Sequence, residues 1–435
     1  MIGLNSPLKP TNLGVKRCTI PKRKSSKLPC YNIGFLSKPG VEYTLPVDRI
    51  KMYLLRRMGG GCFNGRPTKG QKVEIETVSG GEDVLDVAAA EARVVPEHLV
   101  VMVNGIIGSA ADWRYAAEQF VKKLPDKVIV HRSECNYSRL TFDGVDLMGE
   151  RLADEVRAVV KRRPEVRKIS FVAHSLGGLV ARYAIGRLYE HNLKVKASGL
   201  IRNCLGEDDS NHLTQLLEQP FDASIAGLEP MNFITFATPH LGSGGHKQLP
   251  MLCGLPFLER SASQTAHWIV GRSGKHLFLT DNDEGRPPLL LRMVNDSDDL
   301  KFMSGLRSFK RRVAYANANY DHVVGWRTSS IRRQHELPKS YLLVKDEKYP
   351  HIVYVQRETT DDINNRASSN VGGQKIDLEE EMIRGLTQVP WERVDVSFQR
   401  SRQRYIAHNT IHVKTYWLNS DGVDVVFHMI DNFLL

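Results

Sequence analysis

Cysteine is scarce in this chain. Six are spread over 435 residues, at Cys18, Cys30, Cys62, Cys135, Cys204 and Cys253, with no C-x-x-C spacing and none in the last two fifths. That excludes a disulfide scaffold and a cysteine-based zinc site, and fits a reducing compartment. Long apolar runs are missing as well: none approaches the roughly 18 residues that a membrane-spanning helix needs. The N-terminus has no apolar h-region of a secretory signal. Acidic residues are absent from the first 41 positions, which carry eight Lys/Arg. Removing them from the total of 60 basic and 49 acidic residues leaves 52 against 49, so the body is almost neutral and the net charge of +11 sits in the tail. The basic residues of the tail are not regularly interleaved with stacking aromatics, which argues against a nucleic-acid arm and against nucleic acid as a partner.

What remains is a long, ordinary globular composition, 41% hydrophobic and 25% charged, enough to bury a core without staples. Residues 1–70 are rich in Lys, Arg, Ser, Pro and Gly and show no sustained periodicity. They read as a disordered solvated tail or as an organelle transit peptide. From about residue 71 a globular domain begins. Val73, Ile75 and Thr77 alternate with polar residues as in a strand. Further strands are predicted over 98–106, 127–131, 168–174, 231–238, 312–318 and 394–398. The run Leu99-Val100-Val101-Met102-Val103 is apolar throughout, as a strand covered on both faces would be. Helices are predicted over 145–160 and 176–188. In the first, Leu147, Leu152, Val156 and Val159 are expected to share the buried face, with Glu150, Arg151, Asp154 and Glu155 toward water. Strands alternating with helices predict an α/β fold with a mostly parallel central sheet and helices on both faces. Insertions near 191–228, 243–287 and 331–375 interrupt the alternation as cap or wall segments. Leu249–Leu258, the most apolar irregular stretch, is expected either to cover the site as a lid or acyl-pocket wall, or to be a buried core loop.

The chemistry lies in Lys168-Ile-Ser-Phe-Val-Ala-His-Ser175-Leu-Gly-Gly. A strand turns sharply into a helix at Ser175, with Ala173 and Gly177 two residues to either side. This is the pattern of a nucleophile elbow: the serine backbone is strained, so its neighbours at −2 and +2 must be small. The usual first glycine is Ala173 here, a mild departure. The elbow places the Leu176 N–H and a helix N-terminus beneath a developing oxyanion. Upstream, Asn104-Gly105-Ile106-Ile107-Gly108-Ser109 follows a predicted strand, and the Ile106 N–H is the candidate second donor. A third segment, Ala237-Thr-Pro-His240-Leu-Gly-Ser243, ends another strand and is expected to line the acyl pocket.

Together with Tyr320-Asp-His-Val-Val-Gly-Trp-Arg-Thr328, these motifs make residues 72–435 resemble the "lipase-like putative serine esterase" family of α/β-hydrolases, most closely its plant branch. The resemblance implies an α/β-hydrolase fold and hydrolysis of a carboxylic ester, of a lipid above all. The partners are then an ester substrate and, at most, a membrane surface touched peripherally, and the setting is intracellular, in cytoplasm or plastid. Asn104 stands where many such lipases have histidine. An acyltransferase would use the same triad, and a catalytically silent α/β-hydrolase serving as a binding module is the reading from another class.

The chain order Ser, then acid, then His assigns the remaining roles. Asp321, in a tight turn just past the strand over 312–318, is the candidate acid; Asp296, Asp298 and Asp299 read as a helix-capping or solvated group. Six histidines follow Asp321. His322 is bonded in sequence to the acid, and His335 and His351 lie in the polar insertion. His408, in the loop after the last strand, is the candidate base, with His412 and then His428 as alternatives. Serine chemistry of this kind needs neither a metal nor an organic cofactor.

Overall fold

The computed structural model describes residues 74–78, 82–86, 95–191, 223–243, 270–282, 285–359 and 377–435. All belong to one unit, residues 70–435. The basic tail over 1–70, the Leu249–Leu258 segment, most of the predicted insertions near 191–228 and 243–287, and the end of the third, 360–375, lie outside the described residues.

Eleven strands are described. They are β1 (Glu74–Val78), β2 (Glu82–Asp86), β3 (His98–Val103), β4 (Val128–Arg132), β5 (Lys168–His174), β6 (Tyr189–His191), β7 (Ala223–Ile225), β8 (Glu229–Phe236), β9 (Arg311–Asn317), β10 (Ile352–Arg357) and β11 (Glu392–Val396). Nine of them form one sheet in the order β1-β2-β4-β3-β5-β8-β9-β11-β10, and β6 pairs with β7 separately. The six strands from β4 to β11 run parallel, while β1, β2 and β10 attach antiparallel at the two edges. This is the α/β-hydrolase fold. The predicted strand over 98–106 stops at Val103, because Asn104 and Gly105 begin a turn that leaves the sheet.

The longer helices among the described residues are α1 (Arg114–Lys123), α2 (Val145–Arg162), α3 (Leu176–Leu188), α4 (Phe302–Ser308), α5 (Trp326–Ser330), α6 (Leu378–Leu386) and α7 (Val423–Asp431). Leu99, Val101 and Val103 of β3 join the core under α2, α3, α4 and α6. Val100 and Met102 point the other way, into the core under α1 and α7. The period-2 alternation of side chains therefore buries both faces of β3, which is why the run is apolar throughout.

Helix α2 departs from the expected face. Its buried stripe is Val145, Met148, Gly149, Leu152, Ala153, Val156 and Val159, whereas Leu147 is 42% exposed. At 100° per residue Leu147 falls on the side opposite Val145 and Leu152. Glu155, expected in water, is buried. Its carboxylate accepts the Ser133 hydroxyl at 2.5 Å and the Glu134 N–H at 2.8 Å, and lies 3.3 Å from His131 Nε2. Donors at the end of β4 replace its water, so a charged residue at the stripe's margin is held inside.

Candidate active site

Ser175 joins β5 to α3 at the middle of the parallel sheet. Its backbone has φ 53° and ψ −128°, a sparsely populated conformation for a residue with a side chain. The turn is pinned by neighbours: the Ser175 N–H donates to the Phe236 carbonyl of β8 at 2.9 Å, and the Gly178 N–H to the Ser175 carbonyl at 3.1 Å. Two glycines allow the close approach. A Cβ on Gly177 would stand 2.5 Å from the Asn104 carbonyl oxygen and 2.6 Å from that of Val103. A Cβ on Gly105 would stand 2.9 Å from Ser175 Cβ, so the loop after β3 rests directly against the nucleophile position.

The two candidate oxyanion donors lie on that loop and at the start of α3. The Ile106 N–H follows Gly105 immediately, and the Leu176 N–H opens α3. Among the described residues no acceptor is seen for either. The loop's shape is held from outside. Asn104 Nδ2 donates to the carbonyls of Gly105 at 3.1 Å and Asn136 at 3.0 Å, while the Ile107 N–H donates to Thr141 Oγ1 at 2.9 Å. Asn104 is thus a clamp on the loop's backbone.

The structure brings Ser175, His408 and Asp321 together across 233 residues of chain. Ser175 Oγ is 3.0 Å from His408 Nε2, and His408 Nδ1 is 3.0 Å from Asp321 Oδ2. His408 lies in a helical turn, Ala407–Thr410, in the loop after β11. Asp321 lies four residues past β9. Its Oδ1 accepts the N–H groups of Val323 at 3.0 Å and Val324 at 2.9 Å, and its Oδ2 accepts Asn317 Nδ2 at 2.8 Å. Burial pushes the Asp321 carboxyl up, but His408 and these donors outweigh it and hold the group below its ordinary value. It therefore carries a negative charge against the imidazole at neutral pH. With Nδ1–H directed at Asp321, Nε2 is free to accept the serine proton.

Among the described residues, none of the alternatives to His408 is hydrogen-bonded to Ser175 or Asp321. His428 is bonded to the Tyr315 hydroxyl at 2.8 Å, and His351 to Asp424 at 2.8 Å. His322 is exposed. His412 is buried with its ring stacked on His174, centroids 3.8 Å apart. Asp296 accepts the N–H groups of Met303 and Ser304 at 2.7 and 3.1 Å, capping α4. The Ala237–Ser243 turn buttresses the elbow: a Cβ on Gly178 would meet Thr238, and Arg182 donates to the His240 carbonyl at 3.3 Å.

Sequence reasoning passed over His174. Its Nε2–H donates to the His408 backbone carbonyl at 2.7 Å, and the two rings lie 4.6 Å apart. The neighbour of Ser175 thus holds the main chain of His408. The one signal for it is position: a residue adjacent to the elbow serine, at the strand's end, must face the same rim.

Among the described residues no group of three or more His, Cys, Asp or Glu is placed to hold a metal ion, and no helix is long and apolar enough to cross a membrane.

The chain is similar to known proteins over part of its length. A stretch of 245 residues, 54% of the chain, is 30% identical to "Putative lipase C4A8.10" of Schizosaccharomyces pombe and covers 26% of that protein. Another, of 239 residues and again 54% of the chain, is 29% identical to "Putative lipase ROG1" of Saccharomyces cerevisiae and covers 28% of it. The match thus spans about a quarter of the length of these curated relatives. Among solved structures, esterase B of Lactobacillus rhamnosis aligns over 82% of both chains at 9% identity and a TM-score of 0.37. The mature lipase BlEst2 of Bacillus licheniformis aligns over 55% of this chain and 73% of its own at 15% identity and a TM-score of 0.31. Residues 94–331, over half of the chain, match the sequence profile described as "Putative serine esterase (DUF676)", and the chain belongs to that family.

Proposed function

We propose that this protein cleaves carboxylic esters of acyl lipids with Ser175 as nucleophile, His408 as general base and Asp321 as the acid that orients it. The observation that carries the reading is the unbroken hydrogen-bonded series from Ser175 Oγ through His408 to Asp321, 3.0 Å at each step. Ser175 Oγ attacks the acyl carbonyl as its proton passes to His408 Nε2, and Asp321 stabilises the imidazolium. The carbonyl oxygen, now negative, accepts the N–H groups of Leu176 and Ile106. The leaving alcohol takes the proton from His408. Water, activated by the same nitrogen, then releases the acid and restores Ser175. The chemistry is assigned to residues 71–435, with 1–70 a tail outside it. The likeness to the family's plant branch rests on the four motifs, and an intracellular setting, cytoplasm or plastid, on the scattered cysteines and the acid-free basic N-terminus.

A fluorophosphonate probe tests the reading, because it labels only a serine activated by an aligned base. The wild type is expected to be labelled at Ser175 and Ser175→Ala not at all. Asp321→Asn is expected to fold but to lose roughly four orders of magnitude in kcat on a soluble ester. An unlabelled wild type would identify a silent binding module, and preferential transfer to an alcohol over water an acyltransferase.

A further inference from the structure

Exposed apolar side chains concentrate in the loop that carries His408. Tyr405, Ile406, Tyr416, Trp417 and Leu418 are all exposed, Trp417 at 73% and Tyr405 at 64%. They flank the helical turn Ala407–Thr410 on both sides in sequence, and Asn419 Nδ2 ties the second group back to Thr410 Oγ1 at 3.0 Å. Their neighbours lead to the site. Tyr405 meets the ring of Tyr320, the residue before Asp321, edge-on at 5.8 Å. Tyr416 stacks at 5.0 Å on Tyr115, in the first turn of α1 just after the oxyanion loop. The patch therefore borders both the acid–base side and the oxyanion side of Ser175.

Its own sequence carries only positive charge, although Asp421, just past it, accepts the Ser401 hydroxyl. No Asp or Glu occurs between Asp395 and Asp421, while Arg400, Arg402, Arg404 and Lys414 do. Lys414 is paired with Asp112 at 3.1 Å, and the Arg404 guanidinium lies over the Tyr405 ring, 4.7 Å from its centroid. Arg400 and Arg402 are exposed at the start of the segment.

We propose that residues 400–418 form a docking surface for an anionic lipid–water interface. Aromatic and aliphatic side chains rimmed by arginine suit the boundary between acyl chains and acidic headgroups. Position favours lipid over a protein occupant. A protein seated beside His408 would obstruct the approach to Ser175, whereas a lipid surface would deliver the ester to it. The inference rests on the lipid-ester reading above and adds the surface and the charge of the partner.

Co-sedimentation of the full chain with phospholipid vesicles, alongside hydrolysis of a short water-soluble ester, tests it. The wild type is expected to bind vesicles containing phosphatidylserine more tightly than phosphatidylcholine alone, with the difference removed by salt. Trp417→Ser with Leu418→Ser is expected to lower binding to both vesicles about tenfold or more. Arg400→Ser with Arg402→Ser should lower binding only to the acidic vesicles, by roughly fivefold per arginine. Both double variants should hydrolyse the soluble ester at the wild-type rate. Binding that is absent in the wild type, or equal in wild type and variants, overturns the proposal. So does a concentration-dependent dimer in sedimentation velocity that Trp417→Ser abolishes, since the patch would then join two copies of the chain. Vesicle binding with this pattern but no ester hydrolysis would support the docking surface and reject the esterase reading alone.

Discussion

At the scale of single residues, the site depends on two kinds of constraint. Ser175 is held in a strained conformation by β8 and by glycines that let the loop after β3 press against it. His408 is held at three points: its ring by Asp321 and Ser175, and its main chain by His174. His174 is therefore placed to position His408. His174→Ala removes the 2.7 Å bond to the His408 carbonyl, and a base displaced by about 1 Å can lose up to a hundredfold in rate. The expected outcome on a soluble ester is a kcat lowered tenfold to a hundredfold with KM unchanged. Steady-state kinetics decide it, with circular dichroism to verify the fold; a folded variant with wild-type kcat would show that Asp321 alone orients the ring.

At the scale of elements, the loop bearing Asp321 leans on a buried ion pair. Arg332, just past α5, contacts both carboxylate oxygens of Asp395 on β11 at 2.8 Å, and Trp326 Nε1 donates to the same carboxylate at 2.6 Å. Both charged side chains are almost inaccessible, at 1% and 0%. Burial pushes the Asp395 carboxyl up, against the pull of Arg332. Arg332→Leu leaves that carboxylate buried without its cation, so a loss of about 3–5 kcal/mol in unfolding free energy is expected. Urea denaturation measures it. A change under about 1 kcal/mol would mean that water or Arg393 replaces the lost partner. The pair was invisible in the sequence because its members lie 63 residues apart and each reads as a surface charge.

At the scale of the whole molecule, buried histidines set the response to acid. Burial lowers His174, His240 and His412 well below the ordinary value, His98 to about 3 and His428 to about 4. Each is neutral when folded and binds a proton when unfolded at pH below about 6.5. The unfolded state therefore gains protons first. Stability is complete above pH 6.5 and falls as pH drops below it, by up to about 1.4 kcal/mol per pH unit for each group. Asp321 adds to the loss only lower, where pH falls through its depressed folded value. The expected outcome is a melting temperature that is flat from pH 8 to 7 and falls progressively toward pH 5. Differential scanning calorimetry across that range checks it; a flat profile to pH 5 would contradict neutral burial.

Local pattern determined a good deal of this protein by itself. An apolar run too uniform for a surface strand requires cover on both faces, and β3 has it. A serine between a strand and a helix, with small residues at −2 and +2, has the room that the strained turn of Ser175 needs. Chain order and strand ends were enough to single out Asp321 and His408 as candidates, because loops leaving parallel strands at their carboxyl ends share one rim. Tertiary structure decided what depends on distance through space. It chose which helix face is buried in α2, where pockets of donors keep Glu155 inside and Leu147 turns outward. It paired Arg332 with Asp395 and set His174 under the His408 carbonyl. Such contacts join residues tens to hundreds of positions apart, and periodicity, which reports only a residue's own neighbours along the chain, contains no trace of them.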